Sequence, residues 1–227
     1  MLFAGTFIFE LIFLFLISRF LTRKLSALLY RITRSQLATI NLMAFLFFPG
    51  TVLHEVSHFL MAGLLFVPVG HVELWPKLEG NYVKLGSVQI AQTDIFRRFL
   101  IGVAPFLFGT VLLVGMLFYA AQNNLFDNKW FTLLLGYAAF EIGNTMFSSK
   151  KDMEGALELF AAFLVFAIIF YFLGVRIPAI NFDAIFANQI ITQVFKQGTM
   201  ILLIPLGIDV LLFAILSLLA RKNSRQY

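Results

Sequence analysis

Residues 40–67 read INLMAFLFFPGTVLHEVSHFLMAGLLFV, an apolar run with His54-Glu55-Val56-Ser57-His58 near its centre. Its length predicts a membrane-spanning helix, on which His54 and His58 stand one turn apart on one face. That spacing lets two imidazoles hold one Zn²⁺, and Glu55, beside the first of them, is then placed to act as general base toward water. Ionisable groups at membrane depth are costly and usually mark function. Two of the chain's three histidines fall in this one stretch, which favours a metal site over histidines kept only for helix–helix hydrogen bonds. Pro49-Gly50, one turn before His54, predicts a kink or break.

Composition sets the surroundings. Of 227 residues, 60% are hydrophobic, 29 are Phe and only 13% are charged; mean hydropathy is +0.90. This predicts an all-α polytopic membrane protein rather than a soluble domain. No lone N-terminal apolar run precedes a soluble body, so no cleaved signal peptide is expected. Cysteine is absent, which excludes disulfides and thiolate ligands, so any zinc must use His and carboxylate. The net charge of +5 fits basic flanks against anionic lipid, and with no nucleic-acid motif beside it the expected partner surface is the bilayer.

Working outward, about six transmembrane helices are expected: residues 2–18, 37–67, 99–121, 130–147, 153–174 and 198–220. Between the first two, Arg19, Arg23, Lys24, Arg31 and Arg34 suggest an interfacial amphipathic helix over 19–36. Residues 68–98 change character. Pro68, Gly70, Pro76, Gly80 and Gly86 separate short alternating runs, which predict a small β-rich loop or hairpin. The chain divides into an N-terminal span with its basic helix (1–39), a membrane core (40–174) and a connecting segment with the last span (175–227).

Zinc held by two histidines needs a third protein ligand and one open position. Asp152, at the junction of the fourth and fifth spans, is best placed; Glu154, Glu158, Glu141 and His71 are rivals. Asp152 also suits the N-cap of the fifth span, with Glu154 in its first turn.

The spacing of these residues resembles the site-2 protease family of intramembrane zinc metalloproteases. In that family an HExxH helix is followed by a β-rich loop, a helix, and a helix bearing NxxPxPxLDG. Here Asn144 and Asp152 are eight apart, as that pattern requires. The stretch Gly102-Val103-Ala104-Pro105-Phe106-Leu107-Phe108-Gly109 is similar to the small-residue and proline segment of the family's middle core helix. Phe147 and Ser149 replace both prolines, Lys151 replaces the Leu, and Met153 the Gly, with Gly155 two further on. The resemblance is thus to a divergent member, and no PDZ or CBS module is expected.

The resemblance implies peptide hydrolysis within or near the bilayer of a plasma membrane, on a transmembrane protein substrate. Zn²⁺ would be held by His54, His58 and Asp152, with Glu55 as base. Asn144 would bind the substrate backbone; its other reading is an interhelical hydrogen bond. The 68–98 segment would add an edge strand to an unwound substrate. Ser57 and Ser148 would line a water path, although Ser57 reads equally as a packing residue. Two other functions stay open: a client-binding protein of this architecture that does not cut, and a small proton or metal transporter. His71 reads as a solvated loop residue, Trp75 and Trp130 as interfacial anchors, and Glu10 and Asp209 as intramembrane acids without a motif. If the 68–98 loop, Lys150-Lys151 and the C-terminal Arg221, Lys222 and Arg225 share one side, the positive-inside tendency puts the site toward the cytoplasm.

Overall fold

A computed structural model describes residues 2–74, 77–79, 82–84, 86–147, 152–173 and 188–223. They form α1 (Leu2–Thr33), α2 (Gln36–Leu46), α3 (Phe48–Leu64), the strands β1 (Val69–Glu73), β2 (Lys77–Glu79), β3 (Tyr82–Lys84) and β4 (Ser87–Ile90), α4 (Ile95–Gln122), one 3₁₀ turn (Leu125–Asp127), α5 (Lys129–Thr145), α6 (Glu154–Phe172) and α7 (Gln189–Asn223). Among the described residues three helices, α1, α4 and α7, are long and apolar enough to cross a membrane, and α2 with α3 make a fourth if the bent pair is one span. The sequence predicts six. The other two expected spans fall on α5, with 17 residues, and on α6, an apolar helix over Glu154–Phe172.

The expected division of the N-terminus into a span and an interfacial helix is not found. With no Pro or Gly between Thr6 and Thr33 to break it, α1 runs on as one helix of 32 residues. Its basic groups are accommodated on the helix. The Arg19 guanidinium lies 4.5 Å from the Phe15 ring centre, and Lys24 lies over Phe213 and donates to Ser217 of α7. Such stems lie along apolar surface while the charged head finds a partner. Arg34, in the left-handed region with φ 49°, then turns the chain, and Ser35 caps α2.

The break in the second segment is real, and it falls at Phe47, between α2 and α3, with a bend of 69°. Pro49 sits in the first turn of α3, where its missing N–H costs nothing.

Side-chain contacts fix the helix directions. Thr6 meets Thr199 and Lys24 meets Ser217, both at a sequence offset of 193, so α1 and α7 run parallel along their lengths. Against them α5 is antiparallel: Leu21 packs on Phe140, while Phe15 meets Phe147. A buried cluster of Leu14, Leu113, Leu117, Ile142, Met146 and Leu202 joins α1, α4, α5 and α7. Because α7 parallels α1, its C-terminal end lies where α1 ends and α5 begins. The 69–90 loop follows α3, which runs with α5 toward the other end. The loop and the C-terminal end of α7, which carries Arg221 and Lys222, therefore do not share a side, and counting basic residues no longer selects one for the site; Arg225 lies outside the described residues.

The loop itself is a nest of two antiparallel pairs. β1 pairs with β4 (Val72 opposite Val88, Glu73 opposite Ser87), and β2 with β3 (Leu78 opposite Val83). The outer pair packs on the end of α3 through Ala62, Val67, Val69, Ile90 and Ile101. Asp94 then caps α4. It accepts the Arg97 backbone N–H at 3.0 Å, a bond that holds its carboxyl below the usual value. Trp75 lies outside the described residues, whereas Trp130 is exposed at the start of α5.

Candidate metal centre

His54, Glu55 and His58 lie on α3, and the turn before α6 brings Asp152 to them. The two imidazole Nε2 atoms stand 3.3 Å apart. Asp152 Oδ2 lies 3.5 Å from His54 Nε2, and its Oδ1 lies 3.4 Å from His58 Nε2. Ligands about 2 Å from a tetrahedral zinc lie about 3.3 Å from one another, so the three side chains already have the edges of a zinc polyhedron. His58 and Glu55 are buried, and His54 is nearly so.

The outward nitrogens decide what the inward ones can do. His54 Nδ1 lies 2.7 Å from the carbonyl of Thr145, and His58 Nδ1 lies 2.8 Å from that of Ile101. A carbonyl only accepts, so each Nδ1 carries the proton, and in a neutral ring Nε2 presents a lone pair. Two lone pairs and a carboxylate thus turn on one point. A proton on one ring would satisfy one of these contacts; a metal ion satisfies all three. The residues fit zinc.

Both tethering carbonyls are free for a reason. Thr145 is the last residue of α5, where carbonyls lack intrahelical donors. Ile101 lies four residues before Pro105, buried inside α4, which has no N–H to return to it. Proline in a helix is usually a cost; here it releases the acceptor that orients His58. Pro105→Ala restores the donor and sets it against the imidazole. Zinc affinity is expected to fall about 10–100-fold, as for other outer partners of metal ligands, while thermal stability holds or rises. Chelator competition and a melting curve on the same preparation check the split.

Glycines bring the segments together. A Cβ on Gly102 would run into the carbonyl oxygen of Asp152, and one on Gly155 would come within 2.8 Å of the Phe99 nitrogen. The first turns of α4 and α6 therefore touch backbone to backbone, and Arg98 fixes them with paired 2.9 Å bonds to Glu158. Gly86, just before β4, packs on Glu55: a Cβ there would lie 2.9 Å from Glu55 Oε1. The β loop thus covers the carboxylate of the candidate base.

The rivals for third ligand lie elsewhere. Glu158 pairs with Arg98, Glu141 accepts from the backbone of Gly50, and His71 is exposed on β1. Only the backbone of Glu154 is described. Asn144 is not brought to the centre. Its amide donates to the Phe140 carbonyl at 2.8 Å and to Asp209 Oδ1 at 2.9 Å, the interhelical role. Asp209, fully buried in α7, thereby gains a partner, whereas Glu10 in α1 buries its Oε2 with no hydrogen-bond partner among the described residues. Lys150, Lys151, Ser148 and Ser149 lie outside the described residues. Sequence reasoning named Pro105 and Glu141 but not what they do here, and it missed the Thr145 carbonyl altogether; of these, only the proline carries a local signal.

A groove of about 270 Å³ opens beside His54, between α3, α4 and α5, lined by Leu53, Ser57, Pro105, Gly109, Thr145 and Met146 among others. Its hydroxyls are spent internally, Ser57 on Leu53 and Thr145 on Glu141, so it offers an apolar guest a largely apolar wall. The level of the site is set by Asn144, next to Thr145: its carbonyl receives Ser18 from the middle of α1. No family model, curated protein or solved structure matches this chain.

Proposed function

We propose that this chain is an intramembrane zinc metalloprotease that hydrolyses peptide bonds of membrane-embedded proteins, a divergent relative of the site-2 protease family. One observation carries the reading: three acceptor atoms from His54, His58 and Asp152 converge with zinc-like edges, beside a buried glutamate. A bound zinc would supply a Lewis acid that polarises a carbonyl and acidifies water. The rest falls to the chain. His54 and His58, held by Thr145 and Ile101, present their Nε2 lone pairs, and Asp152 adds charge. Glu55 takes the proton from water and returns it to the leaving amine.

The surroundings support a membrane substrate. A helix cannot be cut as a helix, because its carbonyls are bonded and shielded. The groove beside His54 suits apolar side chains, and β4 starts at Glu55 with one edge unpaired among the described residues, so an unwound segment can lie along it. The test is cleavage of a synthetic transmembrane peptide by the purified, zinc-loaded protein in lipid vesicles. Cleavage lost on chelation and restored by zinc is expected. Zinc bound without cleavage of any peptide in a varied set would favour the client-binding reading, and no zinc would refute the centre.

A further inference from the structure

A helix break inside an apolar segment frees backbone groups that lipid cannot satisfy. At the break between α2 and α3, Leu46 is the last residue of α2, and its carbonyl has lost the helix beyond it. On the far side Pro49 has no N–H, Thr51 donates back to the Phe47 carbonyl, and α3 has no side-chain cap from its own chain neighbours. The Gly50 N–H needs an acceptor.

Both freed groups are met from α5. Tyr137 Oη donates to the Leu46 carbonyl at 2.9 Å, and the Gly50 N–H donates to Glu141 Oε2 at 3.0 Å. One turn further on, His54 donates to the Thr145 carbonyl. All three contacts have the same offset of 91 residues. They form a ladder of one rung per turn between parallel segments, and its last rung is the tether of a candidate zinc ligand. Gly50 lets the rungs close: a Cβ there would lie 2.6 Å from Thr145 Cγ2 and 2.9 Å from the Glu141 carbonyl oxygen. Glu141 itself is 1% exposed, and nothing in the metal centre uses it.

We infer that Tyr137 and Glu141 are positioning residues that clamp the α2–α3 break from α5 and so set the register in which His54 meets Thr145 and faces His58 and Asp152. This rests on the metal-centre reading but adds to it a pair of residues outside the coordination sphere. What matters in Glu141 is an acceptor oxygen at full side-chain reach. Glu141→Gln keeps that oxygen and drops the charge; Glu141→Asp keeps the charge and withdraws the oxygen by one methylene.

The experiment loads wild type and variants with Co²⁺ in place of zinc and follows the visible ligand-field spectrum during titration. Gel filtration and helical circular dichroism show that each variant is folded. Glu141→Gln is expected to match wild type in affinity and spectrum. Glu141→Asp is expected to bind about 10–100-fold more weakly, the range for lost outer partners, with altered band intensities. Tyr137→Phe removes the other clamp without a cavity and is expected to weaken binding in the same sense. A Glu141→Asp protein indistinguishable from wild type, or a Glu141→Gln protein as weak as Glu141→Asp, overturns the inference. Wild type that binds no Co²⁺ removes the metal centre and the inference with it; that failure is told apart because it occurs before any variant is compared.

Discussion

His54→Ala and His58→Ala are each expected to abolish zinc binding in the purified protein, and Asp152→Asn to weaken it by more than the roughly 10–100-fold that loss of an outer partner costs. The three are not equivalent. Each imidazole presents one lone pair, fixed by its Nδ1 tether to Thr145 or Ile101, so alanine removes a preset ligand. Asp152 reaches both imidazoles, one with each oxygen. Asparagine keeps its shape but puts a donor where one of those oxygens stood and removes the negative charge that offsets a dication in a low-dielectric site. Elemental analysis after gel filtration measures occupancy, and competition with a chelator ranks affinity. Glu158→Gln serves as the contrast: it breaks the pair with Arg98 at the surface, where an exposed ion pair contributes about 0–1 kcal/mol, and zinc is expected to stay. Full occupancy in both histidine variants would dismiss the centre.

How much of this was legible before the structure depends on whether the signal is local. The two histidines and Glu55 were, because helical periodicity alone puts i and i+4 together. The break near Pro49 was too, since proline and glycine act on their own turn. The β loop showed as alternating runs, but the nesting of β2 and β3 inside β1 and β4 is a choice of pairing that alternation does not encode. The basic stretch after residue 18 suggested an interfacial helix; in the fold α1 continues, because α7 lies parallel beside it and supplies Ser217 and Phe213 to Lys24. Asn144 and Glu141 are the most instructive pair. They are three residues apart on one apolar helix, yet Asn144 faces Asp209 of α7 and Glu141 faces Gly50 of α3. In a helix apolar on every side there is no hydrophobic face from which to tell which neighbour each will meet. The offset of eight between Asn144 and Asp152 pointed to a shared site, and the structure brings only Asp152 to it.

Glu55→Gln separates chemistry from binding. The substitution is close in shape, leaves His54, His58 and Asp152 untouched, and removes the motif's one carboxylate, the proton acceptor that remains once both imidazole Nε2 lone pairs are given to a metal. Zinc content is expected to equal that of wild type, while peptide cleavage falls by about 10²–10⁴-fold, the usual contribution of a positioned acid–base group. The surroundings bear on the expectation. Glu55 is buried and Gly86 packs on its carboxylate, so the position of the base depends on the loop residue beside it. Gly86→Val is the companion variant. Its side chain would enter the space of Glu55 Oε1 and the Thr51 methyl, driving the base from its position with every metal ligand in place. It is expected to copy Glu55→Gln, with zinc retained and cleavage lost, whereas a loop that merely covered the site would leave turnover high. Unchanged cleavage in Glu55→Gln would mean that another residue accepts the proton, and the roles assigned within the motif would have to be redrawn.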